Sequence, residues 1–340
     1  MTLLRENQQL ISEIEARYGM RKQFISAYLQ RFDNPRSLPN RNPIKNLNDL
    51  LNLPAPFPMW FDYAMSTNQR GQQMSKFMRP HLSPGATRYL DVGCGFGGFL
   101  VAFARLGMKV MGFEIDPERV MLASANCEDF GLGGSVVEGD ILDDTFTASL
   151  DKFDAITMID VIEHVLDVPK ALRNAVRLLN PGGVLLLEIP NRHSIEFVGS
   201  DGHFGLFGIT LLDRWQAIDY HRQFYKFAYD VGDYYELSNY QNQLNALGCE
   251  VEILASPFYT PRSVDAVPAL LESLLSRRDD YLRERQNQLP GELNLELQFR
   301  FSEYVNQLSR DLRLLNGDHT AFQRRYLTDF WTVLARKKDR

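Results

Sequence analysis

The stretch Asp91-Val92-Gly93-Cys94-Gly95-Phe96-Gly97-Gly98 constrains this chain more than any other, because it lies between strand-forming residues (TRYL) and helix-forming ones (FLVAFARL). Its glycines permit a tight turn and let a ligand approach the backbone, and the helix that follows offers free N–H groups. A lone GxGxxG-like pattern is weak, since nicotinamide and flavin enzymes hold a pyrophosphate with the same device. Here the spacing is G-x-G-x-G-G, and Asp91 stands two residues before the first glycine. A carboxylate beside the loop suits an ammonium or sulfonium ligand better than a pyrophosphate.

Around this loop, short β-rich runs alternate with helical ones from residue 87 to 190: TRYLDVG, KVMGFEI, GSVVEGDI, FDAITMID and GGVLLLEIP are the strands. Continuous apolar runs such as Val184 to Leu187 indicate strands buried on both faces, as in a mostly parallel sheet. The pattern predicts a doubly wound α/β domain. Before it, residues 1–30 read as helix with Leu4, Ile11, Ile14 and Tyr18 near one face, interrupted at Gly19. Six prolines between 34 and 58 predict an extended connector. After it, residues 204–240 hold 11 aromatics, which either stack a ligand ring or form local core. A helical pair is expected at 264–286 and 292–316, turning at Pro290-Gly291. The chain closes on a strand-like FWTVLARK and a basic tail.

Composition excludes several classes. With 340 residues, 44% apolar and 24% charged, the chain is neither disordered nor fibrous. Cys94, Cys127 and Cys249 show no metal spacing, and no run approaches the roughly 20 apolar residues that span a bilayer, so a reduced cytoplasmic protein without membrane association is expected. Residues 89–190 carry 7 basic and 16 acidic side chains, a balance of −9 that repels phosphate backbones and argues against nucleic acid as a partner.

Three acids fall at successive strand ends: Asp91, Glu114 (19 residues after Gly95) and Asp140 in Glu138-Gly139-Asp140-Ile141. An acid in the Glu114 place accepts both hydroxyls of a ribose, a feature shared with NAD binding. The ordered set LDVGCGFGG, GFEID, EGDIL, FDAITMIDVIEHV and LLNPGGVLLLEIPN resembles the class I S-adenosylmethionine-dependent methyltransferases, over about residues 75–255 and a final strand at 326–336. The resemblance implies a Rossmann-like sheet of seven strands with the last antiparallel. It implies that Asp91, Gly93, Cys94 and Gly95 shape the methionine end of the cofactor site, and that Glu114 binds the ribose. Ile115 would flank the adenine, Asp140 hold its amine, Ile141 pack on it, and Asp160 lie near the methionine amino group and the methyl. The chain then divides into an N-terminal helical and proline-rich arm (1–74), the methyltransferase core (75–257), a helical insertion serving as acceptor cap or dimer seam (258–324) and a final strand with tail (325–340).

The chemistry implied is methyl transfer from S-adenosylmethionine, leaving S-adenosylhomocysteine, to a small molecule, with oxygen in a bulky or sugar-bearing metabolite the first expectation. An acceptor hydroxyl must lose a proton. His164, beside Glu163 and just past the fourth strand, is the first candidate base, and it resembles the Glu-His pair of quinone-biosynthesis O-methyltransferases. The competing role for Glu163 and His164 is to hydrogen-bond loop backbone. His193, His203 and His221 compete for the same proton. Some relatives with Glu-x-x-Glu-His bind magnesium here; this chain has Asp160 in place of the first glutamate, which leaves a magnesium ion open while no metal ligand is assigned. Two rival readings keep the cofactor: a protein or RNA acceptor, and a non-catalytic scaffold whose helical insert is the working surface. A homodimer through that insert is a further expectation.

Overall fold

A computed structural model describes residues 4–32, 44–54 and 57–339. In chain order the elements are α1 (Gln8–Tyr18), α2 (Lys22–Gln30), α3 (Leu47–Leu51), α4 (Phe57–Met65), α5 (Thr67–Met78), β1 (Arg88–Val92), α6 (Gly98–Arg105), β2 (Lys109–Glu114), α7 (Pro117–Glu128) and β3 (Val136–Glu138). There follow α8 (Asp144–Ser149), β4 (Phe153–Ile159), α9 (Val168–Leu178), β5 (Leu179–Pro190), α10 (Ile195–Gly199), α11 (Arg214–Phe224) and α12 (Leu237–Ala246). The last are β6 (Cys249–Leu254), α13 (Val267–Glu284), α14 (Gly291–Arg313) and β7 (Phe330–Lys337), apart from short helical turns. The strands form one seven-stranded sheet in the order β3-β2-β1-β4-β5-β7-β6, with β7 antiparallel. The expected architecture is therefore present. Strand order reverses between β1 and β4, and in open α/β sheets ligands bind at the carboxyl ends of the strands beside such a reversal.

The chain divides into two compact units, the first comprising residues 1–158, 173–185 and 336–340, the second 159–172 and 186–335. In the first unit Tyr89, Leu90 and Val92 of β1 and Ala155, Ile156 and Met158 of β4 are buried, as strands covered on both faces require. The N-terminal helices build a core of their own from Leu10, Ile14, Phe24, Tyr28, Phe57 and Phe61. Gly19 ends α1 in the left-handed conformation, which accounts for the interruption seen in the sequence. The free N–H groups at the start of α2 are taken up by Asp129, whose carboxylate accepts from Gln23 (3.3 Å) and Phe24 (3.0 Å).

The expectation of an extended connector over 34–58 is corrected in part. Asn46 and Asp49 form a reciprocal capping box that starts α3, and Pro58 sits in the first turn of α4, where a missing N–H costs no hydrogen bond. Prolines 35, 39, 43 and 56 lie outside the described residues.

α5 rests on the first turn of α6 through two glycines. A Cβ on Gly71 would stand 2.2 Å from the Gly98 carbonyl oxygen, and one on Gly98 would stand 2.2 Å from that of Thr67. Backbone thus meets backbone where the glycine loop becomes a helix.

In the second unit, α13 and α14 form the expected pair. Leu297, Phe301, Tyr304 and Leu308 of α14 are buried, which resolves the strand-or-helix ambiguity of that segment in favour of a helix. They join Phe207, Tyr220, Tyr229 and Tyr281 in one cluster, so much of the aromatic stretch 204–240 is local core. No helix among the described residues is long and apolar enough to cross a membrane.

Replacing Gly71 by Ala would force α5 away from α6. Overpacking of this kind costs about 1–3 kcal/mol, so a thermal melt is expected to show a clear fall in Tm for Gly71→Ala and none for Gly291→Ala, whose surroundings are open.

Candidate functional site

The glycine loop follows β1 directly. Gly93, Gly95 and Gly97 all have positive φ (66°, 53° and 74°), where a side chain would be strained. The loop folds onto β2: the N–H groups of Gly93 and Cys94 donate to the Phe113 carbonyl at 2.9 and 3.1 Å, and the Gly95 N–H donates to the Glu114 carboxylate at 3.1 Å. The second oxygen of Glu114 accepts from the N–H groups of Ile115 (2.9 Å) and Asp116 (3.3 Å). Glu114 is buried, and three backbone donors fix its carboxyl group in place at the end of β2. Ile115 beside it is 65% exposed, whereas Ile141 is buried. Asp140 accepts from the Leu142 N–H at 2.8 Å, and the Ile141 carbonyl is tied to Asn174 of α9 at 2.9 Å. The Cys94 thiol is buried, and burial pushes its pKa well up, so it is an inert part of the loop wall.

Asp91 lies beneath the loop, 4% exposed. Thr157, its register partner on β4, donates to it at 2.6 Å, and the Tyr89 hydroxyl lies 2.5 Å from the Thr157 hydroxyl. Burial pushes the Asp91 carboxyl up to about 7; the Thr157 hydrogen bond opposes this, the Glu114 charge adds to it, and the Tyr89 hydroxyl and Arg70 of α5 act against it. Arg70 also lies over the Tyr63 ring, 4.2 Å from its centroid. The sequence offered no signal for Arg70, Thr157 or Tyr89: Arg70 and Thr157 come from α5 and β4, and Tyr89, on β1 itself, is joined to Asp91 through the Thr157 hydroxyl.

The second unit gathers a different set. Glu163, His164 and His203 place their donor atoms within 4.8 Å of one another. His164 Nδ1 lies 3.0 Å from the Asp230 carbonyl oxygen. A carbonyl only accepts, so this nitrogen carries the hydrogen and Nε2 keeps a lone pair. The His203 ring meets that of His164 edge-on at 5.1 Å, its Nδ1 lies 3.3 Å from the Tyr234 hydroxyl, and burial pulls its pKa down to about 4. Glu163 is 3% exposed and its Oε2 has no hydrogen-bond partner. Burial raises its carboxyl well above the ordinary range, and the charges of Asp160 and Glu188 push the same way. Asp160 has φ 55°, the one non-glycine residue with positive φ among the described residues.

The other histidines stand apart. His221 is 1% exposed and ringed by Phe204, Tyr225, Phe227 and Tyr229. His193 is engaged with Glu236 at 2.6 Å, and its backbone carbonyl accepts from Tyr304. A metal ion at the Glu163, His164 and His203 cluster would meet one carboxylate and two imidazoles, fewer oxygens than magnesium prefers.

Residues 10–253 match the family model described as a methyltransferase domain. Among curated proteins, the chain is 33% identical over 122 residues to a ubiquinone biosynthesis O-methyltransferase of Xanthomonas axonopodis, covering 36% of this chain and 51% of that one. It is 30% identical over 159 residues to a protein of the same name from Cereibacter sphaeroides, covering 46% and 60%. The chain thus spans about half the length of the curated relatives it matches. Among solved structures, an S-adenosylmethionine-dependent methyltransferase from Clostridium acetobutylicum aligns with a TM-score of 0.47 and 12% identity, over 83% of this chain and 98% of that one.

The buried Glu163 sets a pH dependence. With its pKa raised in the fold, the carboxyl is protonated there and ionised in the unfolded chain once pH exceeds the ordinary carboxyl value. The unfolded state then binds fewer protons, so this group lowers stability as pH rises. Glu163→Gln is expected to flatten the fall in urea midpoint between pH 5 and pH 8. Equal slopes for both proteins would contradict the protonated, buried carboxyl.

Proposed function

The chain belongs to the class I S-adenosylmethionine-dependent methyltransferase family, and on that premise we propose that it transfers the cofactor's methyl group to a hydroxyl oxygen of a bulky small molecule. The observation that carries the cofactor assignment is the set of acids around one glycine loop, with Glu114 held in place by three backbone N–H groups. In this reading Glu114 takes the ribose hydroxyls, Asp140 the adenine amine and Asp91 the methionyl ammonium. Ile115, exposed beside the loop, covers the adenine ring with Ile141. Arg70 supplies the cation that the methionyl carboxylate needs in a site otherwise lined by acids.

Methyl transfer from a sulfonium is an in-line displacement. The acceptor oxygen forms a bond to the methyl carbon as the carbon–sulfur bond breaks, and the sulfur leaves as a neutral thioether. Alignment of two bound reactants supplies about 7–11 kcal/mol of such a barrier. The remaining task is the acceptor's proton. His164 is suited to take it on Nε2, because Asp230 fixes the hydrogen on Nδ1. His203, pulled down to about 4, stays neutral beside it and leaves that lone pair without a competing charge. Glu163, held protonated by burial, is a neutral neighbour rather than a second base. The names of the curated relatives, O-methyltransferases acting in ubiquinone biosynthesis, support oxygen as the methylated atom. The acidic balance of residues 89–190 weighs against an RNA acceptor.

Two measurements test these assignments. Glu114→Ala is expected to weaken S-adenosylhomocysteine binding by calorimetry about tenfold or more, since charge-assisted hydrogen bonds are worth about 1.5–3 kcal/mol each; unchanged affinity removes the ribose role. His164→Ala, assayed with labelled cofactor against a metabolite library, is expected to lower turnover by about 10² to 10⁴ while leaving cofactor affinity within about twofold. Full activity in that variant moves the base to His203.

A further inference from the structure

We infer that Tyr89 and Thr157 are positioning residues that charge and orient Asp91 from below, so that the site takes up its cofactor in step with loss of one proton from that carboxyl. The inference rests on the cofactor reading above. β1 and β4 are parallel neighbours in which Asp91 pairs with Thr157, so the two side chains leave the same face of the sheet side by side. Tyr89, two residues before Asp91, shares that face and is fixed by stacking on Phe103 of α6, with ring centroids 3.7 Å apart and planes within 6°. The result is a buried trio, Tyr89 hydroxyl to Thr157 hydroxyl at 2.5 Å and Thr157 hydroxyl to Asp91 at 2.6 Å.

Each hydroxyl has one hydrogen to give, and an ionised carboxylate only accepts. The pair is therefore matched to a charged Asp91, whereas protonation brings a third hydrogen into a closed space. Every group that faces Asp91 bears on the balance. Burial and the Glu114 carboxylate at the end of β2 oppose the charge, while Thr157 from β4, Tyr89 from its own strand and Arg70 from α5 favour it. Cys94 and Cys127 face it as neutral thiols, held so by burial. These opposed influences leave the carboxyl titrating at about 7.

An incoming methionyl ammonium meets the carboxylate form only. Where Asp91 is protonated, binding breaks its O–H bond, the proton passes to solvent and the carboxylate pairs with the ammonium. No other bond changes. Affinity for S-adenosylhomocysteine, which keeps the ammonium, then falls toward tenfold per pH unit below the titration point and levels off above it.

The test is calorimetry of S-adenosylhomocysteine binding between pH 5.5 and 8.5, in two buffers of different ionisation enthalpy, on the full chain. Wild type is expected to release close to one proton per site at pH 6 and almost none at pH 8.5. Thr157→Val is expected to lose about tenfold in affinity at pH 7 and to regain most of it at pH 8.5, with Thr157→Ser restoring the wild-type profile. Tyr89→Phe, which keeps the stacked ring, is expected to move the profile the same way by a smaller amount. A loss in Thr157→Val that is the same factor at every pH marks a merely structural role and overturns the inference. Wild-type binding without proton release overturns it too, and leaves the cofactor reading standing. Failure of the wild type to bind at any pH removes both.

Discussion

Three N–H groups of a glycine turn, two donating to the Phe113 carbonyl and one to the Glu114 carboxylate, hold the loop after β1 against the end of β2. The rest of the first unit is arranged around that attachment. Positive φ at Gly93, Gly95 and Gly97 makes the turn, and α6 begins where it ends. Gly71 and Gly98 let α5 lie backbone to backbone on that first turn, which brings Arg70 to the acids. Gly112 does the same for β2: a side chain there would stand 2.8 Å from the Cys94 Cβ and break the fit of loop on strand. One loop conformation thereby places the ends of two strands and a flanking helix around a common space.

Three of the buried acids, Asp91, Glu114 and Glu163, are held in three different ways. Glu114 accepts from three backbone N–H groups, which fix it as an acceptor at the end of β2. Asp91 is held by two hydroxyls against burial and sits close to its titration point. Glu163 has an oxygen with no partner and remains protonated. A carboxylate without donors or a counter-charge is too costly to keep ionised away from water.

The parts legible in the sequence are those fixed by neighbours along the chain. The glycine spacing, the buried strand runs and the stripe from Leu297 to Leu308 are local patterns, and they gave the sheet, the loop and the helical pair in place. The acids at the strand ends were legible for the same reason. What escaped depends on contacts across the chain. Thr157 reads as an unremarkable strand residue until β4 pairs with β1, and Arg70 reads as a solvent-facing helical residue until two glycines bring its helix onto α6. α3 escaped because a proline-rich composition hid a capping box of Asn46 and Asp49. His221 was indistinguishable from His203 in sequence, and only packing separates a ring enclosed by four aromatics from one beside His164 and Glu163.

The central claim is that the glycine loop and its acids hold the methionyl and adenosyl parts of a sulfonium cofactor rather than a dinucleotide pyrophosphate. Thermal unfolding with each ligand is the direct measurement, because a ligand that binds only the folded state stabilises it by an amount that grows with the logarithm of its concentration over Kd. S-adenosylhomocysteine is expected to raise the Tm of the protein, while NADH at the same concentration leaves it unchanged. A rise with NADH and none with S-adenosylhomocysteine would contradict it.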